Sequence, residues 1–206
     1  MPLIIEDLGR GVPYALAHAR QEELLAARIA GQIPDTLLLV EHSPVITLGR
    51  RRSSASNVLA PGDMDVIAVE RGGDVTWHGP GQLVAYPIVQ LPEGRRDLHR
   101  HLWNLEEACI RTCADFGLGA TRDARNTGAW IGERKVASVG IACRRWVCWH
   151  GLALNVDPDL AWFGRINPCG LTAGIMTSMA GERGVAPEWD GVVESLVTHL
   201  GELLSG

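Results

Sequence analysis

A cysteine at position 169 sits between Pro168 and Gly170 in INPCGLTAG, residues 166–174, a segment too rich in turn residues for a helix or strand. A thiol on a turn can be presented to solvent, and a thiolate attacks thioesters and other activated acyl groups well. A free thiol titrates at about 8.5, so a nearby base or cation must activate it at neutral pH. An inert, small cysteine is the competing reading. A second candidate is Lys135, which opens a strand whose next residues, Ala137, Ser138 and Gly140, are small enough to leave room for a ligand lying on a sheet. Taken alone, it also reads as a solvated charge. The third is RGGDVTWHGPGQ, residues 71–82, whose four glycines and one proline surround Arg71, Thr76 and His78. Such a segment can wrap a ligand with backbone N–H groups, or can be a tight surface connection that holds a structural histidine. It has neither P-loop spacing nor a glycine fingerprint opening a helix, so it is not a nucleotide motif of either kind.

The elements that must position these residues follow from periodicity. LIIEDLG reads as a short strand and residues 13–32 as a helix ending near Gly31. DTLLLVEH is a continuous apolar run, as in a strand buried on both faces. DVIAVERGG is a further strand, and QLVAYPIVQL another, in which Pro87 suggests a sheet edge or a bend. Residues 97–118 form a second helix with Asp97 near its N-terminus. Residues 128–156 read as a β meander with turns near Gly132–Glu133 and Arg144–Arg145, and residues 187–205 as an amphipathic helix. Strands and helices mix without strict alternation, which predicts an α+β fold with a mixed β-sheet flanked by helices. The long irregular stretch at 47–63 is expected to be functional or mobile.

The bulk numbers set limits. With 206 residues, 46% apolar and 21% charged, the chain can bury one core, so a single domain over 1–206 is expected rather than disorder. A net charge of −5 argues against a general nucleic-acid binder. No window approaches 18 apolar residues and MPLIIEDLGRG lacks the pattern of a signal peptide, so no membrane association and a cytoplasmic location are expected. Five cysteines without an export signal do not suggest a disulfide framework. Cys109 and Cys113 lie four apart on a helix and read as core. Cys143, Cys148 and His150 lack the tight spacing of a structural zinc site, so no metal is expected.

Four blocks carry a family resemblance: RGGDVTWHGPGQL, KVASVGI, HGLALNV and RINPCG, spanning residues 71–170. In this order and separation the chain resembles the octanoyl-acyl-carrier-protein:protein N-octanoyltransferases of lipoate biosynthesis. The resemblance implies a fold like that of the biotin and lipoate protein ligases. It implies that octanoyl passes from acyl carrier protein onto an enzyme cysteine, and then to the ε-amine of a lysine on lipoyl domains of 2-oxoacid dehydrogenase complexes and of the glycine cleavage H protein. Cys169 matches the acyl-thioester cysteine, and Lys135 the lysine that activates it and acts as acid and base. The substrate-binding stretches map onto Arg71, Gly72, Gly73, Asp74, Val75, Thr76, Trp77 and His78, onto Ser138, Val139 and Gly140, and onto Gly151, Leu152 and Ala153. No metal, nucleotide or other cofactor is implied.

Three rivals remain at this level. An ATP-dependent lipoate or biotin ligase would need no acyl cysteine and would be protected against heating by ATP. A cysteine thioesterase or amidotransferase would release the acyl group to water or ammonia. A non-catalytic carrier-binding module would need neither Cys169 nor Lys135. An acidic carrier is expected to dock on local positive charge, with Arg50, Arg51 and Arg52 as first choice and Arg144 and Arg145 as second.

Overall fold

The computed structural model of the chain describes residues 3–167 and 173–204. Its main sheet has seven strands: β1 (Ile4–Asp7), β2 (Thr36–Val40), β6 (Gln82–Gln90), β10 (Val147–Asn155), β9 (Arg134–Arg144), β8 (Gly128–Ile131) and β7 (Ala120–Thr121), in that spatial order. Strands β1 and β2 run parallel and every other neighbouring pair antiparallel, so the sheet is mixed. A second sheet has three strands, β4 (Asp65–Ala68), β3 (Val45–Leu48) and β5 (Val75–His78), with β3 in the middle.

The all-apolar TLLLV of β2 belongs where both faces are covered. Leu37 and Leu39 join Leu83, Ala85, Leu152 and Leu154 on one face, under helices α2 (Leu98–Asp115) and α4 (Trp189–Leu204). Leu38 and Val40 join Val84, Tyr86 and Ile88 on the other, under α1 (Tyr14–Ile29). Strand alternation thus feeds two cores at once. Helix α2 begins where Asp97 accepts hydrogen bonds from the His99 and Arg100 N–H groups, and it buries Cys109 and Cys113. A short helix α3 (Met179–Arg183), capped by Ser178, joins the first core through Met179.

Three sequence expectations are corrected. Strand β6 is no edge: it pairs with β2 on one side and β10 on the other. Pro87 is accommodated because its missing N–H faces β10, where the ladder is interrupted between Cys148 and Leu152. There His150 takes a left-handed backbone, φ 57°, and Gly151 makes space; a Cβ on Gly151 would come within 2.7 Å of the Pro87 ring and 2.3 Å of the Ala85 carbonyl oxygen. The glycine-rich stretch 71–82 is also not all loop, since β5 crosses its middle as a buried strand paired with β3. The turn between β9 and β10 falls at Arg145–Trp146, one residue later than expected, with φ of 51° and 62°.

Candidate active site

Strands β5, β9 and β10 enclose a narrow cleft of about 60 Å³ that reaches from Lys135 to Tyr14 and is walled by β5, β9, β10, Tyr86 and the segment Ile175–Met176. Its lining is mostly apolar and aromatic, the kind of surface that takes an alkyl chain.

Lys135 lies at the cleft, only 5% exposed, which removes its reading as a solvated surface charge. Asn126 Oδ1 accepts a hydrogen bond from its Nζ at 2.7 Å, and Nζ lies 5.6 Å from the Trp130 ring centroid. The stem runs under Gly128, where a Cβ would meet Lys135 Cε at 2.6 Å and the Ala137 carbonyl oxygen at 2.1 Å; φ there is +146°. Lys135 also organises the backbone beside it. Its carbonyl accepts from the Thr177 N–H at 2.9 Å and it bridges Met176, so the chain leaving the Cys169 segment is held against β9. The chain entering that segment is held as well, because the Asn167 N–H donates to the Asn57 carbonyl at 2.7 Å and Ile166 bridges Val58. Cys169 itself lies outside the described residues.

Arg71 braces the glycine-rich stretch. Its guanidinium donates to the Asp74 carbonyl at 2.8 Å, the Gly72 carbonyl at 3.2 Å, and the Thr47 carbonyl and hydroxyl at 3.0 and 2.8 Å. Gly72 donates its N–H to the Ile141 carbonyl at 2.8 Å and lines the neighbouring cleft rather than this one, while Gly73 borders both. Gly140, on β9, lies close against this loop: a Cβ there would come within 3.0 Å of the Gly72 carbonyl oxygen. Asp74 accepts from the Val75 N–H, Asn57 and Ser53 at 2.8, 2.9 and 3.2 Å, which ties the 47–63 stretch down. Burial opposes its charge, but bonds from Val75, Asn57, Ser54 and Ser53 outweigh burial and hold the carboxyl below its ordinary range.

Of the remaining residues marked by the sequence, Val75, Thr76, His78, Ser138, Val139, Gly151, Leu152 and Ala153 line the cleft. Trp77 does not. Alternation along β5 turns its ring into a separate core, where it stacks on Trp162 at 6.1 Å and meets Phe163 edge-on at 5.3 Å. Cys143, Cys148 and His150 do not converge as a metal site. Cys143 and Cys148 face each other across the β9–β10 hairpin, while the His150 ring stacks on Trp149 at 4.2 Å and lies 5.9 Å from that of His18 on α1.

The far end of the cleft holds residues that sequence reasoning passed over. Tyr14 comes from the first turn of α1 and Tyr86 from β6, next to Pro87. His42 Nε2 lies 2.8 Å from the Tyr86 hydroxyl. His78 Nδ1 is 2.7 Å from Gln82 Oε1, Gln82 donates to Asn155, and Asn155 donates to the Thr177 carbonyl, so a buried polar chain runs from the cleft end to the segment beside Lys135. Asn126 sits in a polar loop, and only its spacing before Gly128 could have marked it.

Burial keeps four of the histidines uncharged. It lowers His42 to about 4 against a partial counter-effect from the Val12 carbonyl. His150 falls to about 3, by burial first and then by the nearby His18 and Arg71, and His78 is pushed well down by burial. His101, on the buried face of α2, falls to about 4 for the same reason. In the unfolded chain each titrates at about 6.5. The unfolded state therefore binds protons that the folded state refuses, so stability is full above about pH 6.5 and falls as pH drops toward 4. The expected loss is about 3 kcal/mol each for His42 and His101 at the acid end, seen as a falling midpoint in urea melts between pH 7 and 4. A flat midpoint across that window would show these rings to be accessible to protons in the fold.

No helix among the described residues is long and apolar enough to cross a membrane. Residues 13–201 match the family model described as the lipoyl protein ligase A/B catalytic domain. A protein of Geobacter metallireducens named octanoyltransferase is 50% identical over 178 residues, covering 86% of this chain and 82% of its own. Another of that name from Syntrophotalea carbinolica is 46% identical over 200 residues, covering 97% and 93%. Among solved structures, a bipartite lipoate protein ligase of Thermoplasma acidophilum superposes with a TM-score of 0.74 at 16% identity, over 100% of this chain and 84% of that one. The biotin protein ligase of Aquifex aeolicus superposes at 0.58 and 13% identity, over 100% and 70%. The expected α+β, biotin and lipoate ligase-like fold is thus observed. With the family model and the relatives both spanning most of its length, this chain belongs to the lipoyl protein ligase A/B catalytic-domain family and groups with its octanoyltransferases.

Proposed function

We propose that this protein moves an octanoyl group from octanoyl-acyl carrier protein, through a thioester on Cys169, to the ε-amine of a lysine on a lipoyl domain. The observation that carries the reading is the buried Lys135 in the lining of an apolar cleft, held by Asn126 and joined through its own backbone to the chain that follows the Cys169 segment. The acceptors are the lipoyl domains of 2-oxoacid dehydrogenase complexes and the glycine cleavage H protein, and the reaction takes place in the cytoplasm without metal or nucleotide.

The covalent stop suits the problem, because two bulky carriers need not dock together. In the first half, the Cys169 thiolate attacks the thioester carbonyl. The new C–S bond forms, the carrier's C–S bond breaks, and the departing thiolate takes a proton from the Lys135 ammonium. In the second half, the acceptor amine attacks the acyl-enzyme. A C–N bond forms, the Cys169 C–S bond breaks, and Lys135, now an amine, takes the proton that the acceptor nitrogen sheds. The cleft holds the chain while each tetrahedral oxyanion is met by nearby backbone N–H groups. Intact mass after incubation with octanoyl-acyl carrier protein tests the scheme. One octanoyl adduct that hydroxylamine removes is expected; transfer without any adduct, or transfer that requires ATP, would exclude it.

The donor's route is suggested by a second cleft of about 570 Å³ that shares Gly73, Asn126, Val139 and Gly140 with the first. Arg51, Arg122 and Arg125 line it, with Glu106 and Asp123. Arg50 and Arg52 are exposed beside Arg51, whereas Arg144 and Arg145 lie at the far hairpin turn. Changing Arg50, Arg51 and Arg52 together to glutamate is expected to raise the KM for octanoyl-carrier, mainly through a slower, more salt-sensitive association. A small octanoyl thioester should be little affected. Equal effects on both donors would defeat the docking assignment.

A further inference from the structure

We propose that His18, Glu70 and His150 form a binding site for one divalent transition-metal ion of the zinc and cobalt class, on the α1 side of the acyl cleft. The three residues come from separate parts of the chain: α1, the segment following β4, and the irregular stretch of β10. Their ligand atoms all lie within 4.8 Å of one another. His18 Nε2 is 3.2 Å and His150 Nε2 3.7 Å from the same Glu70 oxygen. Two ligands on a tetrahedral zinc, each about 2.0–2.1 Å from the metal, stand roughly 3.3 Å apart. Two edges of the ligand triangle are therefore already near the bound spacing, and the third, no longer than 4.8 Å, closes by a small rotation of the partly exposed His18 side chain.

The His150 ring gives independent support. It is 1% exposed, and its Nε2 is buried with no hydrogen-bond partner. A buried polar atom left unpaired is costly and rare in folded proteins. The left-handed backbone at His150 turns this ring to the α1 side instead of letting it follow strand alternation. Glu22 lies 3.8 Å from His18 Nδ1, close enough to become the outer carboxylate partner of a metal-bound ring. Two imidazoles and one carboxylate suit zinc, cobalt or nickel, and not the all-oxygen preference of magnesium or calcium. The half-exposed Glu70 leaves the remaining coordination position open to water. Arg71 lies close enough to affect His150 and tempers the affinity. A bound ion would pin α1 to the cleft wall, because His150 lines the cleft and Tyr14 opens the same helix. The proposal stands on this geometry alone and is independent of the acyl-transfer reading.

The test uses the tag-free full chain with its thiols blocked by N-ethylmaleimide, titrated with Co²⁺. One equivalent bound in equilibrium dialysis is expected, with visible ligand-field bands, no thiolate charge-transfer band, and a raised Tm. His18→Ala and Glu70→Gln should each weaken binding by roughly hundredfold or more, since losing even an outer partner costs about 10–100-fold. Both residues are partly exposed, so the variants should fold; their metal-free melts check this, and His18→Gln replaces any that does not. His99→Ala, on the exposed start of α2, should bind as the parent does. Absence of cobalt binding by the parent chain, or unchanged binding in the His18 and Glu70 variants, would overturn the site.

Discussion

Replacing Cys169 by serine should abolish both the octanoyl adduct and transfer to a lipoyl domain, a loss on the order of 10³-fold or more. Serine at the other four cysteines should leave both in every variant that folds. The structure supports this by elimination, since none of the four lines the cleft. Burial pushes Cys109 well up and Cys113 to about 12, and raises Cys148 with added repulsion from Cys143, so none of these three yields thiolate near neutral pH. Cys143 is exposed, but it stands beside the hairpin turn. The measurement is intact mass together with a transfer assay on each variant. Normal transfer by Cys169→Ser alongside a dead Cys148→Ser would mean that the nucleophile is another thiol.

Two changes at Lys135 should separate its two roles. An unassisted cysteine is only a few per cent thiolate at neutral pH, and a cation within roughly 4–6 Å lowers its pKa by a unit or more. Lys135→Met keeps the length and removes the charge. The pH midpoint for alkylation of Cys169 by iodoacetamide should then move up by about one unit or more, and acylation should slow accordingly. Lys135→Arg keeps a cation but loses the group able to release and regain a proton. That variant should form acyl-enzyme yet pass octanoyl to the acceptor slowly, by about 10²–10⁴-fold. Single-turnover acylation and deacylation across pH give both results. An alkylation midpoint that Lys135→Met leaves in place would assign activation elsewhere, with His78 and His150 next in line.

The sequence made some elements plain because local chemistry alone specifies them. Asp97 caps α2 through hydrogen bonds two and three residues on, and TLLLV cannot be placed anywhere but between covered faces. Other features depended on partners far along the chain. Pro87 is compatible with a central strand only because residues 150 and 151 give way opposite it. The four-residue strands β3 and β5 are too short to show a period, and they are held by pairing with each other. Whether Trp77 or Thr76 faces the cleft depends on a one-residue parity that glycine-rich flanks obscured. The four recognised blocks placed Lys135 at the cleft, but they said nothing about Asn126, Gly128, Tyr14 or Tyr86, whose parts are set by three-dimensional contact.

The strand order also shapes how the molecule is made. Strands β8, β9 and β10 follow one another through tight turns, so this half of the sheet closes short loops and should assemble early. The seam between β6 and β10 joins residues such as Ala85 and Leu152, whose pairing must close a long loop that includes all of α2. The cleft lies over that seam, with Tyr86 on one side and Gly151, Leu152 and Ala153 on the other. Lys135 is thus carried by an early, local hairpin, while the surface that would grip the acyl chain comes into being with the late, long-range closure. A nascent or partly opened chain would display the lysine without the groove, and binding of an acyl chain would select for molecules in which the seam has closed.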